Sequence, residues 1–421
     1  MGAEASAGAE ASTRPEAAAC AGPATPVGEP LPRHAPWQQA RRTAGEAAVP
    51  LPAVTRSLAD AVGHALAAPL AALTDLPAFD TSAMDGWAVS GAGPWRVIRD
   101  GILAGQVPDP LASGTARRIA TGAPVPDGTS AVLRLEDGTV TGETLSDSGQ
   151  LAPGRDIRPR GQECAVGTTL LTAGTTVTPV VLAVAAAAGY DEFLVHRRPV
   201  VDVLVTGDEL AQSGVPRAGQ VRDALSPLLP SWLESCGARL GEVRLLADQA
   251  GPLATEIVGS AADVIITTGS TSVGQTDHLH RVLREAGARL LVDSVAVRPG
   301  HPMLLAELTQ LPGGQRRWLI GLPGNPLAAI AGLVTLALPL LRRLGGHPWP
   351  PLRCLTVDAG IPGHPRDVRL VPAVVRDGTA EPIGFGGPAM LRGIAVADVL
   401  AVVPPGGAPA GSHVMTLALT P

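Results

Sequence analysis

From about residue 200 to residue 344 the chain alternates short β-branched and aliphatic runs with longer stretches of helical composition, and this rhythm limits the fold more than any other feature. Strands are predicted at 200–205, 241–246, 264–268, 290–297 and 318–321. Helices are predicted at 224–240, made imperfect by Pro230, and at 253–262, 277–286 and 326–344. Alternation of this kind implies a doubly wound α/β sheet with helices on both faces. The most apolar stretch, 327–341, is shorter than the ~20 residues a membrane helix requires and is interrupted by Pro339, so it reads as a buried core helix.

The flanks read differently. PWQQARRTAGEA at 36–47 has the pattern of an amphipathic helix, and a second helix is predicted at 57–66. Runs at 95–98, 117–120 and 131–135, separated by Gly, Pro and Asp, make this region β-rich. A helix follows at 179–189, with Pro at its start and Gly at its end. GGHPWPP at 345–351 reads as a linker, followed by a small β domain. Residues 1–32, rich in Ala, Gly, Glu and Pro, have little to bury and are expected to be a disordered tail. The expected organisation is an α/β multidomain chain. It has an N-terminal helix at 33–52 packing on the α/β domain, a linking domain built from 53–71 and 168–198, and a β-rich domain at 72–167. The α/β domain follows at 199–346 and a C-terminal β domain at 347–421. About 100–200 residues per domain makes several domains reasonable for 421 residues.

Composition narrows the classes. Hydrophobic residues make up 45% but aromatics only 2%, so aliphatic side chains must fill the cores. The net charge of −6 and the lack of a basic stripe argue against nucleic acid. There is no lysine, so all 32 basic residues are arginine. Cys20, Cys164, Cys236 and Cys354 lie far apart without metal-ligand spacing, which suits reduced thiols in the cytoplasm. The beginning of the sequence lacks the pattern of a secretory leader. A cytoplasmic protein making no use of a membrane is expected.

Ligands of open α/β sheets bind outside the carboxyl ends of the strands. Three such ends carry polar, glycine-rich turns: Thr206, Gly207, Asp208 and Glu209; then Gly269, Ser270, Thr271, Ser272, Val273, Gly274, Gln275, Thr276 and Asp277; then Gly321 to Pro326, including Pro323, Gly324 and Asn325. Glycine lets backbone approach a ligand closely, and free N–H groups at helix starts favour anions. Asp208, Glu209 and Asp277 add carboxylates that suit Mg²⁺ beside phosphates. Any one of these turns could equally be a plain connection with Asp or Thr as a helix cap. Together they point to a phosphate-bearing ligand. The segments 80–87 and 121–128, and Gly161 to Glu163, taken alone read as surface turns.

Six segments then stand in a recognisable order: DLPAFDTSAMDGWAV, IATGAPVPDGTSAV, DIRPRGQE, VLVTGDEL, DVIITTGSTSVGQTD and LIGLPGNPLAAI. Their order and spacing resemble the molybdopterin molybdenumtransferase family, which also includes the E domain of gephyrin. The likeness runs from about Trp37 to Gly346 and faintly beyond. The resemblance implies an elongated homodimer of four-domain subunits, with each active site between the α/β domain of one subunit and the β domain of the other. It implies adenylylated molybdopterin and molybdate as substrates, Mg²⁺ as cofactor, hydrolysis of the adenylyl phosphate with release of AMP, and transfer of molybdenum to the dithiolene sulfurs. It also implies contact with the molybdopterin adenylyltransferase and with recipient molybdoenzymes.

Carried over by motif, the catalytic candidates are Asp85, Thr121, Glu163, Glu209, Asp223 and Asp277, with Glu209, Asp223 and Asp277 as metal ligands. Glu163 stands where the family usually has Asp, and Ala224 and Leu225 replace the polar residues that follow the aspartate matched by Asp223. The cofactor-binding candidates are Thr206, Gly207, Asp208, Gly269, Ser270, Thr271, Ser272, Gly274, Pro323, Gly324 and Asn325, joined by Arg298 and His301. Where the family has lysines for the molybdate dianion, this chain has Ser294, Arg298 and His301. Arginine keeps the charge and can hold an oxyanion through two parallel bonds. Ser270 replaces a frequent glycine, and Pro388 lies near the place of a C-terminal serine. Three alternatives remain at this stage: a paralogue that binds molybdopterin without inserting metal, an adenylyltransferase-type activity, and an interaction scaffold.

Overall fold

The computed structural model describes residues 30–149, 151–269, 278–308, 314–349 and 352–419. Most of the tail expected at 1–32 lies outside these residues. At the centre is a six-stranded sheet in the order Arg239–Leu246, Val200–Thr206, Val264–Thr268, Arg317–Leu322, Leu304–Leu308, Arg289–Asp293. The first four strands are parallel; Leu304–Leu308 runs antiparallel to both of its neighbours. Side chains alternate between two apolar cores, as the two-residue period of a strand requires. Val203, Val205, Ile266 and Ile320 face the helix Leu225–Ser235 and the segment 326–344. Leu204, Ile265 and Leu319 face the helices Ala250–Gly259 and His278–Glu285. Burial on both faces explains why these strands read as continuous aliphatic runs.

Several local expectations are corrected. The helix expected at 57–66 is a single 3₁₀ turn, Ala59–Ala61, because Ser57 is the last residue of a strand, Ala53–Ser57, paired with Glu192–His196. The helix expected to reach residue 240 stops at Ser235; Gly237, at φ +79°, turns the chain into the strand that begins at Arg239. The expected strand 290–297 breaks after Asp293, where Ser294 takes φ +69°, and Val297–Arg298 pairs instead with Val368 and Arg369. Leu304–Leu308 is a strand that local pattern did not single out.

The segment 326–344 is helical throughout and passes Pro339 without a break. By length and composition it could cross a membrane, but 89% of its most apolar 18-residue stretch is buried inside the protein, so it is a core helix. Residues Leu333–Ala337 form a π turn. In such a turn the carbonyl of residue i accepts from the N–H of residue i+5. For Val334 that residue is Pro339, which has no N–H. Arg41, on the helix Trp37–Glu46, donates its Nη1 to the Val334 carbonyl instead. Beside it, Trp37 Nε1 donates to Thr335 Oγ1 at 3.0 Å. Burial pushes the Arg41 guanidinium down to about 10, which leaves it charged at neutral pH.

Three further units flank this core. The β-rich sheet has the order Ala131–Arg134, Gly86–Val89, Thr115–Ile119, Trp95–Ile102, Thr144–Asp147, Gly138–Thr141. It is inserted into a small unit in which Leu70–Ala71 pairs with Thr169–Leu171 and the helix Pro179–Ala187 is capped by Thr178. At the C-terminal end, Val368–Arg376, Thr379–Pro382, Arg353–Val357, His413–Ala418 and Val399–Val403 close on themselves as a five-stranded ring.

Arg41→Ala should lower the unfolding free energy by about 2–4 kcal/mol, through lost packing and an orphaned carbonyl. Pro339→Ala restores an N–H for that carbonyl, so the double variant should lose less than the sum of the two single changes. Denaturant unfolding of the four proteins measures this coupling; strict additivity would show that Arg41 does not answer the vacancy at Pro339.

Candidate active site

Strand register brings the starts of the three glycine-rich segments side by side. Val205 pairs with Thr268, and Thr268 with Leu322, so 206, 269 and 323 emerge from adjacent parallel strands at one edge. Thr206 is buried and donates its hydroxyl to the Thr268 carbonyl at 2.9 Å, while Gly269 N–H donates to the Leu322 carbonyl at 3.0 Å. Gly269 has φ +91°, and a Cβ there would lie 2.8 Å from the Thr206 carbonyl oxygen, so only glycine fits. Gly324 packs beside it more loosely: a Cβ there would meet Gly269 Cα at 3.7 Å, an ordinary contact. Asn325 and Pro326 open the buried helix at this edge, and the Ala328 N–H of its first turn donates to the Pro388 carbonyl at 3.2 Å. Ser270, Thr271, Ser272, Gly274 and Asp277 lie outside the described residues.

The carboxylates of this edge divide in their roles. Asp208 and Glu209 are exposed, and Asp208 Oδ1 accepts Asp248 N–H at 3.3 Å. Asp223 is buried and its Oδ1 accepts the N–H groups of Leu225 and Ser226, at 3.0 and 3.1 Å, capping the following helix. It stands at the far end of a short ladder, Leu210–Ala211 with Val221–Arg222, that begins beside Glu209. Among the described residues no group of three His, Cys, Asp or Glu side chains is arranged to hold a metal ion.

Next to the Gly324 turn a cavity of about 500 Å³ opens between the α/β sheet and the C-terminal ring. Arg298, His301, Pro323, Gly324, Asn325 and Pro388 line it, together with Arg369, a second cation on the adjoining strand. Arg298 is not free in the way the motif suggests. Its Nε donates to Asp367 Oδ2 at 2.8 Å, and the other oxygen of that buried carboxylate is 2.9 Å from His34 Nε2. Burial works against the charged form of Asp367, but the bonds from Arg298 and His34 outweigh it and hold the carboxyl below its ordinary value. Burial, and then the charges of Arg298 and His34, hold His301 below the ordinary histidine value, so it is neutral at pH 7. Ser294 is absent from the cavity wall; its Oγ accepts His34 N–H at 2.8 Å and pins the N-terminal segment.

Asp85 and Thr121 belong to a different sheet. They flank paired strands, Asp85 just before Gly86 and Thr121 just after the strand that ends at Ile119, its partner. Asp85 Oδ1 accepts both the N–H and the hydroxyl of Thr121, at 2.7 and 3.1 Å. Those two bonds hold Asp85 below the usual carboxylate range, with Arg118 adding to the effect. Glu163 is exposed on the following loop, which is fixed by Asp75 and Asp80: Asp80 Oδ1 accepts Arg160 N–H at 2.6 Å, and Asp75 Oδ1 accepts Val166 N–H at 2.7 Å. Sequence reasoning missed Asp367, His34 and Arg369, which carry no motif; the signal available was only the pairing of 297–298 with 368–369.

Comparison with known families gives this combination of an α/β sheet with a glycine-lined edge, a β-rich insertion and a C-terminal ring its class, that of the molybdopterin-binding proteins. The chain matches the family model of a probable molybdopterin binding domain over residues 202–343. It matches the MoeA N-terminal region (domain I and II) over 35–189 and the MoeA C-terminal region (domain IV) over 355–419. Molybdopterin molybdenumtransferase 2 of Mycobacterium tuberculosis is 34% identical over 376 residues, covering 83% of this chain and 91% of that protein. The molybdopterin molybdenumtransferase of Staphylococcus aureus is 31% identical over 309 residues, covering 70% of this chain and 72% of that protein. Two crystal structures of a molybdopterin biosynthesis moeA protein from Pyrococcus horikoshii share the fold, with TM-scores of 0.75 and 0.69 at 22% and 21% identity, covering 92% and 91% of this chain and 100% of each. The chain belongs to the molybdopterin molybdenumtransferase family and is a transferase of molybdenum cofactor biosynthesis.

A carboxyl depressed in the folded state contributes stability above its unfolded pKa of ~3.9, and that stability is lost as pH falls through the folded value. Asp367→Asn should therefore be less stable than the parent near pH 7 and should lose less on acidification below about pH 4. Its acid limb becomes shallower but does not vanish, since Asp75, Asp85, Asp156 and Asp293 are also held low. Thermal melts between pH 3 and 7 measure this; parallel curves for the two proteins would rule it out.

Proposed function

We propose that the chain inserts molybdenum from molybdate into adenylylated molybdopterin, hydrolysing the adenylyl group and releasing AMP. The observation that carries this reading is the juxtaposition of two binding surfaces: the glycine-lined edge at 206, 269 and 324, and the cavity holding Arg298 and Arg369 directly beside it. Backbone N–H groups at the edge suit the phosphates and the anionic end of the pterin. Two guanidinium groups suit a tetrahedral dianion, and Arg369 supplies the charge that Ser294 lacks. Neutral His301 offers a ring nitrogen to an oxygen of the same ion.

Asp85 is kept ionised by Thr121, which fits it to orient a water or take its proton as phosphorus is attacked. Because Asp85 and Thr121 lie on the β-rich sheet, the reading includes a homodimer in which each α/β edge receives this pair from the partner subunit. Glu163 would stand on the same face as an accessory carboxylate. Mg²⁺ fits here as an ion carried mainly by phosphate oxygens, for which one or two carboxylate arms suffice. Glu209 and Asp223 would hold it: Glu209 is exposed, and Asp223 keeps acceptor capacity beyond the Oδ1 that caps its helix. When bound, the ion neutralises charge on the pyrophosphate. The cytoplasm, an adenylyltransferase upstream and recipient molybdoenzymes downstream complete the reading.

Purified protein given adenylylated molybdopterin, Mg²⁺ and molybdate should release AMP and yield active cofactor. Absence of AMP at every molybdate concentration would overturn the reading. Tight pterin binding without any response to molybdate would instead favour a metal-silent paralogue. Asp85→Asn should slow AMP release by a factor of about 10² or more while leaving pterin affinity near the parent value. An equal loss of affinity would make Asp85 a binding residue.

A further inference from the structure

The segment 31–35 is bound tightly beside the oxyanion cavity. Leu31 N–H donates to the Leu291 carbonyl at 2.9 Å, Ala35 N–H to the Ser294 carbonyl at 3.2 Å, and Ala296 N–H returns to the Ala35 carbonyl at 2.8 Å. Arg33 is paired with Asp293 at 2.7 Å. Within this frame His34 adopts φ +60°, a conformation uncommon for a residue with a side chain. The imidazole lies in the seam between the α/β sheet and the ring. Its Nε2 is 2.9 Å from Asp367 Oδ1, and its ring meets His301 edge to face with centroids 4.9 Å apart.

Asp367 has two oxygens and a charged neighbour, Arg298, whose Nε lies 2.8 Å from Oδ2. Arginine and carboxylate commonly pair through two parallel bonds. Here the contact is single: Oδ2 takes Arg298 Nε, and Oδ1 is occupied by His34. His364 does not serve in its place: its Nδ1 lies 3.4 Å from Oδ2, not Oδ1, and accepts the N–H groups of Asp367 and Arg366, at 3.0 and 3.3 Å. With Oδ1 occupied, the outer nitrogens of Arg298 are left to the cavity that the residue lines.

We propose that His34 is a positioning residue for oxyanion binding: by holding Oδ1 of Asp367 it limits that carboxylate to one bond with Arg298 and keeps the outer nitrogens of the guanidinium turned to the dianion. The inference rests on reading this cavity as the molybdate end of the site. Without His34 the buried Oδ1 would lose its partner, and a bidentate Asp367–Arg298 pair would close the cavity's main cation.

The test is direct binding of molybdate to the full chain by calorimetry, alongside steady-state AMP release. His34→Ala should raise the molybdate Kd and KM roughly tenfold or more, the equivalent of one charge-assisted contact. The KM for adenylylated molybdopterin and the kcat at saturating molybdate should stay near the parent values. His34→Gln, whose amide can donate to the same oxygen, should restore most of the affinity. His34→Ala combined with Asp367→Asn, which removes the charge drawing Arg298 away, should also regain it. Parental molybdate affinity in His34→Ala, or equal losses in the Ala and Gln variants, would overturn the proposal. If the parent protein itself takes up no molybdate, the reading of the cavity fails first and this inference falls with it.

Discussion

The fold depends on burying the segment 326–344. It is too apolar to lie on a surface, and with 89% of its most apolar 18-residue stretch enclosed it organises what surrounds it. One side packs on the sheet strands that hold Ile266, Ile320 and Leu322, and the N-terminal helix crosses the other through Trp37, Ala40 and Ala44. Its first residues, Asn325 and Pro326, are part of the glycine-rich edge, so the element filling the core also positions the Gly324 turn. Its last turn runs into Gly346, where a Cβ would sit 2.1 Å from His196, and His347 Nδ1 lies 3.0 Å from Thr176 Oγ1. Core, binding edge and linking unit are therefore set by one helix.

Much of this was legible in the sequence because it is local. Aliphatic runs of strand length with glycine turns at their ends mark the α/β sheet and the glycine-rich edge, and the Asp85 and Thr121 turns lie at the ends of strands that pair in the β-rich sheet. What stayed hidden depends on partners distant along the chain. Ser57 looks helical until its pairing with Glu192 is known. Leu304–Leu308 is a short apolar run between two elements and has no alternation of its own. Ser294 stands where the family has a lysine, and only the fold shows that its hydroxyl and positive φ serve the N-terminal segment. Asp367 belongs to no motif, yet it decides how Arg298 is presented. The π turn was unreadable because it follows from a proline and from an arginine nearly 300 residues apart in sequence.

The lack of lysine shapes the electrostatics beyond the active site. Every buried cationic task falls to a planar fork with five donors, which can satisfy several acceptors at fixed angles. Arg197 uses two nitrogens on Asp263, at 2.8 and 2.7 Å, while Val200 N–H and Gln315 complete the shell of that buried carboxylate. Arg317 donates to the Ser260 carbonyl at 2.6 Å from a buried position. Such sites combine charge with geometry, and an ammonium could not substitute in them without leaving acceptors unmet.

The β-rich unit leaves and re-enters the rest of the protein at one point. Ala72 N–H donates to the Thr168 carbonyl at 2.9 Å, and Gly167 N–H donates back to the Ala72 carbonyl at 2.7 Å. An excursion whose ends are clasped in this way adds little closure entropy to the unit that carries it. Mechanically it is an arm on a single two-strand wrist. Asp85, Thr121 and Glu163 ride on that arm together, so any swing carries all three side chains as one body and preserves the Asp85–Thr121 bond while changing its distance to everything else.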